Sequence, residues 1–207
     1  MSGNRAVAVE LEHALKWDER LADVISQVGS PPVLVAGSMA LTAGSVANPG
    51  AWLWAVTCVL IGVIPSVLYL VWLLHRGRIA SLDIPFREHR IRPFVFTTGC
   101  RMVAWLVLWV GTAPLPLVLL AGILSLQTLF ILLVTMRWKI SVHCATASGA
   151  AVMAWSLVGV WLPMLVGVSL IAWSRVRLRR HTMTEAMAGL LLGFVVFQTA
   201  LCVLRLA

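Results

Sequence analysis

The sequence predicts an all-α integral membrane protein: about six to seven transmembrane helices in one bundle, preceded by an amphipathic interfacial helix. Three observations carry that prediction. Of the 207 residues, 60% are apolar and only 12% charged, with a mean hydropathy of +0.95, whereas about a quarter of a soluble domain is charged. Several apolar runs reach or approach the ~20 residues that cross a bilayer as helix. The remaining charges, sixteen Lys and Arg against eight Asp and Glu, gather in particular connections. This composition excludes an ordinary soluble domain. It excludes disorder as well, because the chain can bury far more apolar surface than ordering it requires.

Residues 1–30 carry acids and bases throughout and lack the early apolar core of a secretory signal. Within them Val9, Leu11, Leu15, Leu21, Val24, Ile25 and Val28 recur at near-helical spacing among Glu10, Glu12, Lys16, Asp18, Arg20 and Asp23. That pattern predicts a helix lying on the membrane, ended by Gly29-Ser30-Pro31-Pro32. Residues 31–207 make the bundle. Its apolar runs are Val33 to Ala47, Ala51 to Leu74, Val95 to Thr112, Leu115 to Met136, Cys144 to Val158, Trp161 to Trp173 and Met183 to Leu206. Seven crossings follow, of which the first and sixth are short and must borrow flanking residues or tilt.

The connections alternate in character. Asn48-Pro49-Gly50, Ala113-Pro114 and the neighbourhood of Gly159 carry no charge, whereas 75–92, 137–143 and 174–181 are basic. Seven crossings put the basic segments and the N-terminal helix on one side, with Trp72, Trp138 and Trp173 where crossings meet it. All eight acids and fourteen of the sixteen cations share that face; only Arg101 and Arg205 lie elsewhere. Such asymmetry predicts cytoplasmic loops. Arg101, just inside a crossing, is expected to snorkel to the interface. Cys58, Cys100, Cys144 and Cys202 sit in apolar runs without C-x-x-C spacing and predict no disulfide framework. Gly149, Gly159, Gly189 and Gly193 are expected to let helices pack closely. No acidic cluster suits Mg²⁺ and no Cys/His set suits zinc, so neither metal nor cofactor is expected.

Each basic segment also holds histidine. They read Asp83-Ile84-Pro85-Phe86-Arg87-Glu88-His89-Arg90-Ile91-Arg92-Pro93, then Lys139-Ile140-Ser141-Val142-His143, then Ser174-Arg175 through His181 to Glu185. Guanidinium groups match phosphate oxygens with paired donors, and histidine can attack or move a proton near neutrality. His181 and Glu185 stand four residues apart, so on a helix the carboxylate can hold an imidazole nitrogen. His75, His89 and His13 are given no role. Taken individually, Arg87, Arg90, Arg177, Arg179 and Arg180 read as headgroup or topology charges.

Ser174-Arg175, five residues, His181, three residues and an acid resembles the third signature of the type 2 phosphatidic acid phosphatase superfamily of membrane lipid phosphatases and vanadium haloperoxidases. Ser141-Val142-His143 is similar to its second signature, Pro-Ser-Gly-His, and Arg92-Pro93 to the end of its first, Lys, six residues, Arg-Pro. The resemblance covers about half the chain. Departures are evident. Pro85 stands where the first-signature lysine belongs, leaving Arg87, Arg90 or Lys139 to supply that charge; Ile140 and Val142 replace proline and glycine; Glu185 replaces aspartate. The resemblance implies that His181 attacks phosphorus, Glu185 orients it, and His143 protonates the leaving oxygen and then activates water. Arg92, Arg175, Lys139 and Ser141 would grip the phosphate. The implied partner is a lipid phosphate or diphosphate, isoprenoid or glycerolipid, and no nucleic acid. A non-catalytic protein that binds anionic lipid or a membrane partner is the alternative reading. A transporter would require internal repeats or polar residues at mid-membrane.

Overall fold

The computed structural model describes residues 16–79, 81, 83–84 and 87–206, with backbone alone for 87–89, 205 and 206. Among the described residues it is all helical, with nine helices: α1 Trp17–Val28, α2 Pro31–Ser45, α3 Ala51–Gly62, α4 Ile64–His75, α5 Arg87–Val110, α6 Leu115–Thr135, α7 Val142–Val158, α8 Leu162–Arg177 and α9 Met183–Leu206. Proline sits in the first turn of α2, α4, α6 and α8, where its missing N–H would find no helical acceptor in any case.

The protein is an integral membrane bundle, although fewer helices than seven are full spans. Ala51–His75, Arg90–Val110, Leu115–Thr135 and Met183–Leu204 are each long and apolar enough to cross. α1 and α2 meet the same test only together, and they bend by 48° at Gly29-Ser30. α7 has 17 residues and α8 has 16, or roughly 25 Å of helix each against a hydrocarbon core of about 30 Å. These two form a hairpin that leaves the basic face and returns to it, turning after Gly159, which adopts φ +74° and donates its N–H to Trp155. Gly159 is therefore a left-handed helix cap rather than the packing glycine expected of it.

α1 matches the interfacial helix over its described length; Val9, Leu11 and Leu15 lie outside the described residues. Trp17, Leu21, Val24 and Val28 form an exposed stripe, while Ala22 and Ser26 on the opposite side are buried. The buried side rests on α8, and Arg177 clamps it through Asp18 at 2.7 Å and Glu19 at 2.9 Å. Trp72 is partly exposed and carries the guanidiniums of Arg76 and Arg78 over its ring, at 5.7 and 5.6 Å, as suits an indole at a membrane interface.

The core runs through α2, α3, α5, α6, α7 and α9, with Met39, Leu108, Leu117 and Phe197 almost fully buried. Gln127 on α6 donates to the Ala145 carbonyl on α7 at 2.8 Å, a polar tie of the kind that binds helices in lipid. The tightest contact is between α7 and α9. A methyl group on Gly189 or Gly193 would penetrate the carbonyl oxygens of Ser141 and Ala145, respectively. These two glycines, four residues apart, make the groove in which α7 lies.

Gly193→Ala must push α9 off α7. Overpacking of this kind costs on the order of 1–3 kcal/mol, so the variant is expected to melt several degrees below the parent in detergent, measured by fluorescence-detected gel filtration after heating. An unchanged melting temperature would contradict the packing described.

Candidate active site

The three basic connections, distant in sequence, meet at one end of the bundle. At the turn between α8 and α9 the backbone N–H groups of Arg180 and His181 both return to the Arg175 carbonyl, at 3.1 and 3.2 Å. His181, 6% exposed, is thereby held directly before α9. Thr182 caps that helix: its hydroxyl accepts from the Glu185 amide at 3.2 Å, and Glu185 Oε2 accepts from the Thr182 amide at 3.3 Å. This is a reciprocal capping box. The same Oε2 lies 2.7 Å from His181 Nδ1. A carboxylate acceptor there requires the Nδ1–H tautomer, which leaves Nε2 with its lone pair.

His143 occupies the first turn of α7, just before the apolar run begins at Cys144. Its ring is half-buried and makes no hydrogen bond with the described residues. Ser141 is the N-cap of α7 and accepts from the Cys144 amide at 3.4 Å, while its own amide donates to the Glu185 carbonyl at 3.1 Å. That amide is therefore already used, and the hydroxyl hydrogen is the remaining donor of Ser141.

The cations fall into two groups. Arg90 is 5% exposed, donating from Nε to the Ile84 carbonyl at 2.6 Å and from Nη1 to the Ile140 carbonyl at 3.3 Å. Lys139 Nζ donates to the Arg180 carbonyl at 3.1 Å and stands 3.8 Å from Glu185 Oε2. Arg175 is 1% exposed; its Nη1 reaches Ser26 Oγ at 2.8 Å and Asp83 Oδ2 at 3.1 Å, and its Nη2 reaches Asp83 Oδ1 at 2.6 Å. Arg180 bonds the same carboxylate and also Asp23, at 3.1 Å. Arg92, by contrast, is exposed and makes no ion pair with a described residue. Two residues along a helix is a rotation of roughly 200°, so with Arg90 turned inward Arg92 must face out. Arg92 therefore lies outside the buried cluster that Arg90 joins. The side chain of Arg87 lies outside the described residues.

Sequence reasoning missed Asp83, Ser26 and Arg180. Asp83 had a legible signal, being the one acid in the basic segment 76–86. Burial opposes its ionisation, but the hydrogen bonds and charge of Arg175, with His143 and Arg180 nearby, hold its carboxyl below the usual range. Among the described residues no group of three or more His, Cys, Asp or Glu side chains is gathered to hold a metal ion.

Both imidazoles are pushed toward neutrality. Burial, then the positive charges of Arg175, Arg180 and Arg90, outweigh Asp83 and lower the His143 pKa to about 3. Burial likewise lowers that of His181; the Glu185 hydrogen bond opposes this, while Arg90, Arg175 and Lys139 reinforce it. Arg90 and Arg175 therefore act on both rings. Four cations, Arg90, Lys139, Arg175 and Arg180, share this end with two neutral imidazoles and three acids, Asp23, Asp83 and Glu185, a balance that leaves a positive excess.

The chain matches no family model, no characterised protein and no solved structure. What the arrangement can do follows from its chemistry alone. A neutral imidazole with a fixed tautomer and a free Nε2 is a nucleophile or base, the second imidazole is a proton carrier, and the guanidiniums suit an oxyanion.

The depressed His143 pKa has a thermodynamic consequence. The unfolded chain binds a proton near pH 6.5 and the folded chain only near 3. Stability from this group is therefore complete above about pH 6.5 and is lost as pH falls toward 3. Between pH 6.5 and 5 the loss is about 2 kcal/mol. Melting curves should show a His143→Gln variant closing the gap to the parent at pH 5; parallel pH profiles would contradict a neutral His143 in the folded protein.

Proposed function

We propose that this protein is a membrane-embedded phosphohydrolase that removes phosphate or diphosphate from a lipid whose headgroup lies at the basic face. The observation that carries this reading is the 2.7 Å contact between His181 Nδ1 and Glu185 Oε2, with Arg90 and Arg175 close enough to act on both His181 and His143. His181 Nε2 attacks phosphorus along the line of the leaving oxygen, so a P–N bond forms as the P–O bond to the lipid breaks. Glu185 keeps the proton on Nδ1 and stabilises the imidazolium that results. Arg90 and Arg180, with Arg175 once its fork is freed from Asp83, offset the charge that spreads over the equatorial oxygens.

His143 delivers a proton to the leaving alkoxide and then accepts one from the water that splits the P–N bond. In the anion-free protein it is neutral. A bound phosphate raises its pKa, because a nearby negative charge favours the imidazolium. Substrate binding thus arms the acid that the first step requires. The substrate class is an isoprenoid or glycerolipid phosphate, whose acyl or prenyl chain the surrounding bilayer accepts. The basic connections argue for a cytoplasmic site.

One observation favours the non-catalytic reading. Asp83 already fills the fork of Arg175, as it would in a site built to hold a fold together or to bind lipid without turning it over.

Phosphate release across a panel of isoprenoid and glycerolipid phosphates distinguishes the two. The enzyme reading expects turnover by the parent, loss of about 10³-fold or more in His181→Ala, and an acid-labile phosphoprotein that accumulates in His143→Asn. No release from any lipid, or full activity without His181, overturns it. Orientation has a separate test: a cysteine introduced at Arg179 should resist an impermeant thiol reagent in intact cells and react after lysis. Labelling in intact cells would place the basic face outside.

A further inference from the structure

The seam between α4 and α5 carries cations that the buried cluster does not use. Tyr69 on α4 and Phe96 on α5 touch across it, with ring centroids 4.6 Å apart. From that contact each helix runs one turn further toward the basic face. Along α4 the next turn brings Trp72, which stacks on Tyr69 at 5.9 Å and lies under the guanidiniums of Arg76 and Arg78, at 5.7 and 5.6 Å. Along α5 the turn before Phe96 brings Arg92, on the same side of the helix because residues four apart share a face. All three arginines are exposed. They therefore reach one level of the bundle rim, beside an indole that sits where headgroups begin.

Charge at this rim is not balanced from within the chain. The described acids are committed elsewhere: Asp18 and Glu19 to Arg177, Asp23 and Asp83 to Arg180, Asp83 also to Arg175, and Glu185 to Lys139 and His181. Below the arginines the seam is apolar and open. Leu68, one turn from Trp72, and Val95 and Val103 on α5 are exposed, and a methyl group placed on Gly99 would meet nothing within 4 Å. A positive rim thus stands directly over bare apolar surface, the complement of an anionic amphiphile. A small inorganic anion would match the rim and leave the seam unused, and an acidic peptide would do the same.

We propose that Arg76, Arg78 and Arg92 hold the phosphate of an anionic phospholipid whose acyl chain lies along the α4–α5 seam. Trp72 positions two of the three guanidiniums, and an arginine stacked on an indole still turns its N–H groups toward phosphate oxygens. The lipid resides on the outer surface of the bundle rather than at His181, so the proposal does not rest on the phosphohydrolase chemistry.

The test titrates purified protein in a non-ionic detergent with phosphatidylglycerol, with phosphatidylcholine of the same acyl chains, and with glycerol 3-phosphate. The expected result is a saturable rise in melting temperature with phosphatidylglycerol alone, about 5 °C at a hundredfold excess over Kd. Arg76→Gln, Arg78→Gln and Arg92→Gln together should weaken that binding about a hundredfold, at roughly fivefold per arginine, whereas His181→Ala should respond as the parent does. Equal effects of the two phospholipids overturn the assignment, and so does an undiminished response in the triple variant. A rise with glycerol 3-phosphate would mean that a free anion suffices, and a response lost in His181→Ala would put the lipid at the buried cluster; either result also overturns it. Should the triple variant fail to fold, the three substitutions made singly carry the same test. Phosphate release enters none of these measurements, so failure here and failure of the enzyme reading are separate results.

Discussion

Hydrocarbon cannot solvate a charge, and that constraint shapes nearly everything in this molecule. Helix length, the position of each turn and the direction of the hairpins all serve to keep ionisable groups at one end. The result is crowding. Cations from α5, α8 and two connections share a small volume, and they are kept apart by acids from α1 and from the segment ahead of α5. The Arg175–Asp83 pair, joined across 92 residues of sequence, is the centre of this balance, because it ties the last turn of α8 to the segment that leads into α5.

The same pairs create a tension between folding and binding. In the absence of a ligand, Asp83 supplies the negative charge that Arg175 and Arg180 need. Under the proposed function, a phosphate entering the cluster would have to compete with it, and the two imidazoles would register the competition through their protonation. In the proposed function, stability and anion affinity would therefore draw on one set of guanidiniums.

Much of this was legible in the sequence, for physical reasons that also mark where legibility stops. Apolar runs are local features, so the helices and the gathering of charge on one face could be read directly. His181 and Glu185 lie one helical turn apart, which made their contact predictable, and Gly189 with Gly193 announced the close approach of α9. A letter match carries no angle, and only the rotation of α5 shows that Arg90 points inward while Arg92 is exposed. Ser26 and Asp83 were illegible as partners of Arg175 because their contacts span 149 and 92 positions. Arg101 was placed near an interface by its distance from the start of an apolar run, whereas the span begins earlier, at Arg90. The lengths of α2, α7 and α8 set them below a full crossing, a distinction that hydropathy alone blurs.

The capping box at Thr182 has one more consequence. A single carboxylate oxygen of Glu185 both completes the first turn of α9 and holds the proton on His181. Nucleation of the last helix and selection of the imidazole tautomer are thus the same event. The His181 tautomer is therefore fixed only where α9 has coiled.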